Sequence, residues 1–177
     1  MQLEARKNEV VGFLPFRSGQ TVNCRVLGKT PDGSLDEWIE YYPAEKVRKE
    51  LARCFALDLS VQADQLRQKY HRSPPLPMFL ADGRILVPFK FRLAPTQTEA
   101  GYGYIDYNLI RSVAPDKPHQ CLLTLNNGRT LPVHSKIGTA RLALYFAGEI
   151  KKDYFPEDNL EPDLSSLLKL FKDWLRV

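Results

Sequence analysis

The sequence predicts an α+β fold: a β-rich core with an N-terminal hairpin, a helical pair, a further set of antiparallel strands, and C-terminal helices. Three observations lead there. Short runs rich in β-branched and aromatic residues, punctuated by Gly, Pro and Asn, occupy 10–27 and recur between 84 and 134. Between these two β-prone regions, 43–70 has helical spacing. Helical spacing returns from Ile137 onward.

In order along the chain, Val10, Val11, Phe13, Phe16, Thr21, Val22 and Val26, broken by Ser18-Gly19, read as two strands and a turn. Thr30-Pro31-Asp32-Gly33 marks another turn. Pro43 opens a helix whose Val47, Leu51 and Phe55 recur every four residues, with Lys46, Arg48, Lys49 and Arg53 on the polar side. A second helix spans 60–70, with Ser60 as its N-cap and Val61, Leu66 and Tyr70 as its apolar stripe. The two are expected to form an αα-hairpin with a basic outer face.

Prolines at 74, 75 and 77 stop that region, because each lacks a helix donor and restricts its predecessor. Strands are predicted at 84–88, 101–107, 109–114, 121–125 and 129–134. Asn126-Asn127-Gly128 joins the last two as a tight hairpin, since Asn and Gly tolerate positive φ. From Ile137 a helix presents Leu142, Leu144, Tyr145 and Ile150 as apolar positions, with Gly148 as a weak point. The acidic stretch 157–163 is a connector, and 164–175 reads as a last helix with a Leu/Phe/Trp stripe.

A chain of 177 residues that is 44% hydrophobic fits one domain, 1–177, with 73–77 as a point of subdivision into 1–72 and 78–155 and a helical segment at 156–177. Its formal charge is only +4, from 25 Lys+Arg against 21 Asp+Glu, which permits nucleic acid as a partner without requiring it. The distribution is uneven. Residues 46–92 carry ten Lys/Arg against five Asp/Glu when the adjacent Glu45 is counted, whereas 149–177 carry five against seven. Three dispersed cysteines without a CxxC pair, no signal-peptide core and no apolar run of membrane-spanning length predict a soluble cytoplasmic protein.

Motifs for catalysis are weak. His71, His119 and His134 lack metal-ligand spacing, so no metal or cofactor is expected. Gly101-Tyr102-Gly103 lacks the third glycine and following helix of a dinucleotide loop. Cys54 and Cys121 are expected as small buried hydrophobes, and the carboxylate pair Asp36-Glu37 as solvated connector. The remaining chemistry is cationic: Arg67, Lys69, His71 and Arg72 after the helical pair, Arg84, Lys90 and Arg92 beside the next strands, and Arg129, His134, Lys136 and Arg141 around the hairpin. Composition alone reads these as solvated surface, although the same side chains can neutralise phosphates.

From Pro74-Pro75 onward the chain resembles the ComK family of competence transcription factors. The likeness runs through Asp82-Gly83-Arg84-Ile85-Leu86-Val87-Pro88, Gly103-Tyr104-Ile105 and Leu123-Thr124-Leu125-Asn126-Asn127-Gly128-Arg129-Thr130-Leu131-Pro132-Val133. Weaker echoes lie at Leu14-Pro15, Gly19, Cys24 and Arg53-Cys54-Phe55. Tyr104 stands where that family has tryptophan, and the acidic C-terminal connector matches poorly. The stretch 104–136 also looks like the second half of a LytTR-type DNA-binding domain, in which loops between scaffold strands enter DNA grooves.

The ComK likeness implies a transcription activator that binds A/T-rich double-stranded DNA as a homodimer or higher assembly, with a protease adaptor as a further partner. The LytTR likeness directs attention to the loops before Gly101 and after Val133. Together they make Arg92, Arg129, Lys136 and Arg141 the expected phosphate or groove contacts, and Thr96, Gln97, His134 and Ser135 the expected base or sugar contacts. Two other readings compete: an interaction module acting through the apolar helix 164–175, and a Cys-dependent hydrolase.

Overall fold

The computed structural model describes residues 2–91 and 101–156. Arg92, Thr96, Gln97 and the expected helix 164–175 lie outside the described residues. The architecture is α+β, with two antiparallel sheets and helices packed on both sides of the larger one.

The N-terminal hairpin forms as predicted. β1 (Val10–Ser18) and β2 (Thr21–Lys29) turn tightly at Gly19, whose φ of +60° an L side chain rarely adopts. The sequence reading assigns no strand next, yet β3 (Leu35–Glu40) pairs along β2. Its charges disguise it. Asp36 and Glu37 belong to this strand and not to a solvated connector: Arg6 reaches Asp36 at 2.7 Å and Arg25 reaches Glu37 at 3.5 Å. Inward-facing Glu40 is buried, accepting from the Leu3 amide at 2.9 Å and from Trp38 Nε1 at 3.3 Å. Leu3 belongs to a short helix, α1 (Gln2–Ala5).

β4 (Met78–Phe79), β5 (Ile85–Lys90) and β6 (Tyr102–Asp106) complete the larger sheet in the order β3-β2-β1-β6-β5-β4. Pairing of Gly12 with Ile105 joins the halves, so strands from both sides of 73–77 share one sheet. Gly103 sits at this junction because a Cβ there would lie 2.5 Å from the Phe13 carbonyl oxygen. The Gly101-Tyr102-Gly103 step thus serves close strand packing.

This sheet is buried on both faces, which explains its continuous apolar runs. Val10, Phe13, Val26, Leu86 and Tyr104 pack against α2 (Ala44–Cys54) through Val47 and Leu51. Val11, Leu14, Val87, Phe89 and Ile105 face the opposite way, toward α4 (Ile137–Tyr154) and the second sheet. That sheet contains β7 (Ile110–Pro115), β8 (Cys121–Leu125) and β9 (Thr130–Val133). Its β8–β9 turn is the expected one, with Gly128 at φ +85°.

Several side-chain expectations change. α3 (Leu59–Tyr70) is capped by Asp58, whose Oδ1 accepts from the amides of Ser60 at 2.9 Å and Val61 at 3.1 Å, so Ser60 is not the cap. Val61 is exposed; the inward face is Gln62 and Leu66. Gln62 substitutes for a neighbouring strand by bonding both the Phe79 carbonyl, at 2.9 Å, and the Phe79 amide, at 3.1 Å. α2 packs into one apolar cluster through Val47 and Leu51, whereas α3 sends Leu59 to that cluster and Leu66 to the other, so the pair is not held by one common αα-hairpin core. On α4, Ala140, Phe146, Ala147 and Ile150 are buried, whereas Leu142 and Tyr145 are exposed. Cys24 and Cys121 are buried, but Cys54 is only half-buried.

Candidate functional site

The start of α4 breaks the usual preferences. Helix N-termini favour Ser, Thr, Asp or Asn caps and negative charge, because first-turn amides lack partners and carry partial positive charge. Here the N-cap is Lys136, which makes no side-chain capping bond. The segment leading into it is held firmly: the His134 amide donates to the Lys90 carbonyl at 2.7 Å, tying the end of β9 to the end of β5. Gln120 Nε2 lies 3.1 Å from His134 Nδ1, fixing the ring from the adjacent loop.

Beside this helix start lies a groove of about 490 Å³. Its cationic and imidazole lining comes from separate segments: Arg72 from the stretch after α3, Lys90 from β5, His119 from the β7–β8 loop, and His134 and Lys136 from the β9–α4 connection. Ser73, Ser135 and Thr139 add hydroxyls. Phe89, Leu76 and Phe146 form an apolar floor, with the Arg72 guanidinium 5.3 Å from the Phe146 ring centre. Among the described residues, no carboxylate lines the groove.

The neighbouring hollow, about 420 Å³ across the Pro75-Leu76 ridge, differs in this respect. Its Arg48 is held by Glu45 through two bonds of 3.0 Å, and its Arg67 by Asp64 at 3.0 Å. Elsewhere Lys69 pairs with Asp153 at 3.0 Å. Of the cluster that follows the helical pair, Arg72 is therefore the member directed to the groove.

The structure places His134, Ser135 and Lys136 on one groove and separates them from two other named cations. Arg129 is an inter-sheet strut: it bonds Glu37 on β3, and burial followed by repulsion from Arg25 holds its pKa below the usual arginine value. Arg129 is thus already paired within the molecule. Arg141 is exposed on α4 but does not line the groove. Arg84 is structural, pairing with Asp82 at 2.5 Å and donating to the carbonyls of Lys7 and Val10. Arg72, Lys90 and His119 are the cationic and imidazole groove residues not among the contacts expected from sequence. The signal available for them was the flanking of Pro-rich and turn segments by isolated cations.

Burial pushes the Cys24 thiol well up, and burial also raises Cys121 against a partly offsetting hydrogen bond from Ser135. Among the described residues, no three His, Cys, Asp or Glu side chains converge as metal ligands, and no helix is long and apolar enough to cross a membrane. Comparison with family models, curated proteins and solved structures finds no match for the chain.

Proposed function

We propose that this protein is a sequence-specific, double-stranded-DNA-binding transcription regulator whose groove at the start of α4 receives backbone phosphates. The observation that carries the reading is the convergence of Arg72, Lys90, Lys136, His119 and His134 without a lining carboxylate among the described residues. Phosphate oxygens are favoured by clustered cations and by the positive end of a helix. His134 and Ser135, held at the groove by β9 and β5, are placed to add polar contacts. The ComK likeness supplies the preference for A/T-rich sites, whose narrow minor groove is strongly negative and favours inserted cations. The free thiols Cys24, Cys54 and Cys121 agree with a reducing, cytoplasmic setting.

Fluorescence anisotropy of the full chain on A/T-rich and G/C-rich duplexes of equal length tests this at several salt concentrations. The expected result is tighter binding to the A/T-rich duplex, with log K falling linearly against log salt by about 0.9 per phosphate neutralised. Equal affinity for both duplexes, or affinity independent of salt, overturns the reading.

A further inference from the structure

The groove is deeper and more apolar than a phosphate rail requires. A sugar–phosphate backbone passing over the surface needs cations at its edge. It does not need a cavity of about 490 Å³ floored by Phe89, Leu76 and Phe146, which are 3%, 7% and 6% exposed. Cavities of roughly 300–1,000 Å³ with an apolar lining and a few convergent polar groups are the usual form of small-molecule sites.

The two kinds of lining have a common implication. Arg72, Lys90 and Lys136 provide a cationic part suited to a dianionic phosphate, whereas the floor and the half-buried Tyr102 offer aromatic and aliphatic surface suited to a ring. The tie from the His134 amide to the Lys90 carbonyl keeps the Lys90 strand end and the connection that carries Lys136 in fixed relation, which lowers the ordering cost of binding. No carboxylate lines the groove among the described residues, so charge repulsion does not oppose a phosphorylated ligand.

We propose that the groove binds a free nucleoside monophosphate, its phosphate among Arg72, Lys90 and Lys136 and its ring system on the Phe89–Phe146 floor, and that this ligand competes with DNA. The competition rests on the reading that the same groove faces DNA; the small-molecule site itself does not. Occupation would couple DNA binding to nucleotide concentration by simple mutual exclusion.

Calorimetric titration of the full chain with AMP, inorganic phosphate and adenosine tests the site. AMP is expected to bind at least tenfold more tightly than either fragment, because only AMP engages both parts. AMP is also expected to displace a labelled A/T-rich duplex. Two substitutions locate the site: Ala143→Phe, which fills the groove wall, and Lys136→Asp, which reverses charge at its rim; each is expected to weaken AMP binding at least tenfold. Melting curves identify any variant that fails to fold. If Ala143→Phe does not fold, Lys136→Asp and the ligand ranking decide.

AMP binding no tighter than inorganic phosphate, or unaffected by the folded variants, overturns the site. AMP binding that leaves bound DNA in place overturns the competition. AMP binding with the expected ranking in a protein that binds no duplex refutes the DNA reading while leaving the small-molecule site standing.

Discussion

The cations around β3 and those at the start of α4 are chemically alike but differently accompanied. Arg6 bonds Glu9 and Asp36, each at 2.7 Å, with its guanidinium 4.1 Å from the Trp38 ring centre. Arg25 and Arg129 share Glu37. Around the groove, Arg72, Lys90 and Lys136 gather without a lining carboxylate among the described residues. The first group joins strands and sheets, while the second presents positive potential to solvent. A count of basic residues does not distinguish them; the carboxylates brought alongside by the fold do.

Arg84 provides the strongest way to sharpen that comparison, because it is a cation almost wholly committed to structure. It binds Asp82 and the backbone carbonyls of Lys7, ahead of β1, and of Val10, the first residue of β1, and its side chain is 11% exposed. Arg84→Ala removes the guanidinium from these acceptors and is expected to lower unfolding free energy by about 2–4 kcal/mol, measured by urea denaturation. A loss below about 0.5 kcal/mol, the ordinary range for surface substitutions, breaks the structural assignment.

The next effect belongs to the groove. Lys90→Ala with Lys136→Ala is expected to weaken duplex binding at least tenfold and reduce the salt slope by about 1.8, at about 0.9 for each lost phosphate contact. Arg129→Ala is expected to change affinity less than twofold, since Glu37 already engages that guanidinium. Anisotropy at several salt concentrations measures both. Similar losses from the two changes would erase the distinction between paired and groove-facing cations.

The legibility of these features follows their range in sequence. The β8–β9 hairpin was readable because Asn126-Asn127-Gly128 encodes its turn locally, and Gly128 indeed takes positive φ. His134, Ser135 and Lys136 were readable as a group because they are consecutive, and one connection delivers them to one groove. β3 was not, because Asp36, Glu37 and Glu40 resemble a connector until Arg6, Arg25, Arg129 and the Leu3 amide come into place. Gln62 hid a core position behind a polar side chain whose partners are backbone groups of β4. Val61, Leu142 and Tyr145 erred the other way: apolar identity predicted burial, but helix rotation set by Leu66, Phe146 and Ile150 leaves them exposed. Arg129 had the chemistry of a contact residue, and only the packing of the two sheets gives it Glu37.

A smaller effect separates binding from stability at one position. Lys136 at the N-cap opposes the helix dipole and supplies no acceptor for first-turn amides. Lys136→Asp provides both an acceptor and a favourable charge, so α4 and the fold are expected to gain about 0.5–1 kcal/mol. The same substitution places a carboxylate at the groove and weakens duplex binding. Denaturation and anisotropy on one sample therefore move in opposite directions. If both fall, Lys136 supports the fold; if both rise, the groove does not receive phosphate.

The smallest effect belongs to the link between α3 and α4 beside the groove. Lys69 and the Tyr70 hydroxyl both donate to Asp153, linking α3 to α4 beside Arg72. The Tyr70 bond, followed by the Lys69 bond, holds the Asp153 carboxyl below the usual carboxylate range, while burial and Asp153 raise Tyr70 and keep it a protonated donor at neutral pH. A depressed carboxylate pKa stabilises the fold above the unfolded Asp pKa, about 3.9, and the contribution is lost as pH falls through the lower folded value. Tyr70→Phe removes the larger bond and is expected to move the Asp153 titration upward in carboxyl NMR. The variant's stability should correspondingly respond less to acidification through that window. An unchanged Asp153 titration would show that the Tyr70 bond does not persist in solution and that the link between α3 and α4 rests on Lys69 alone.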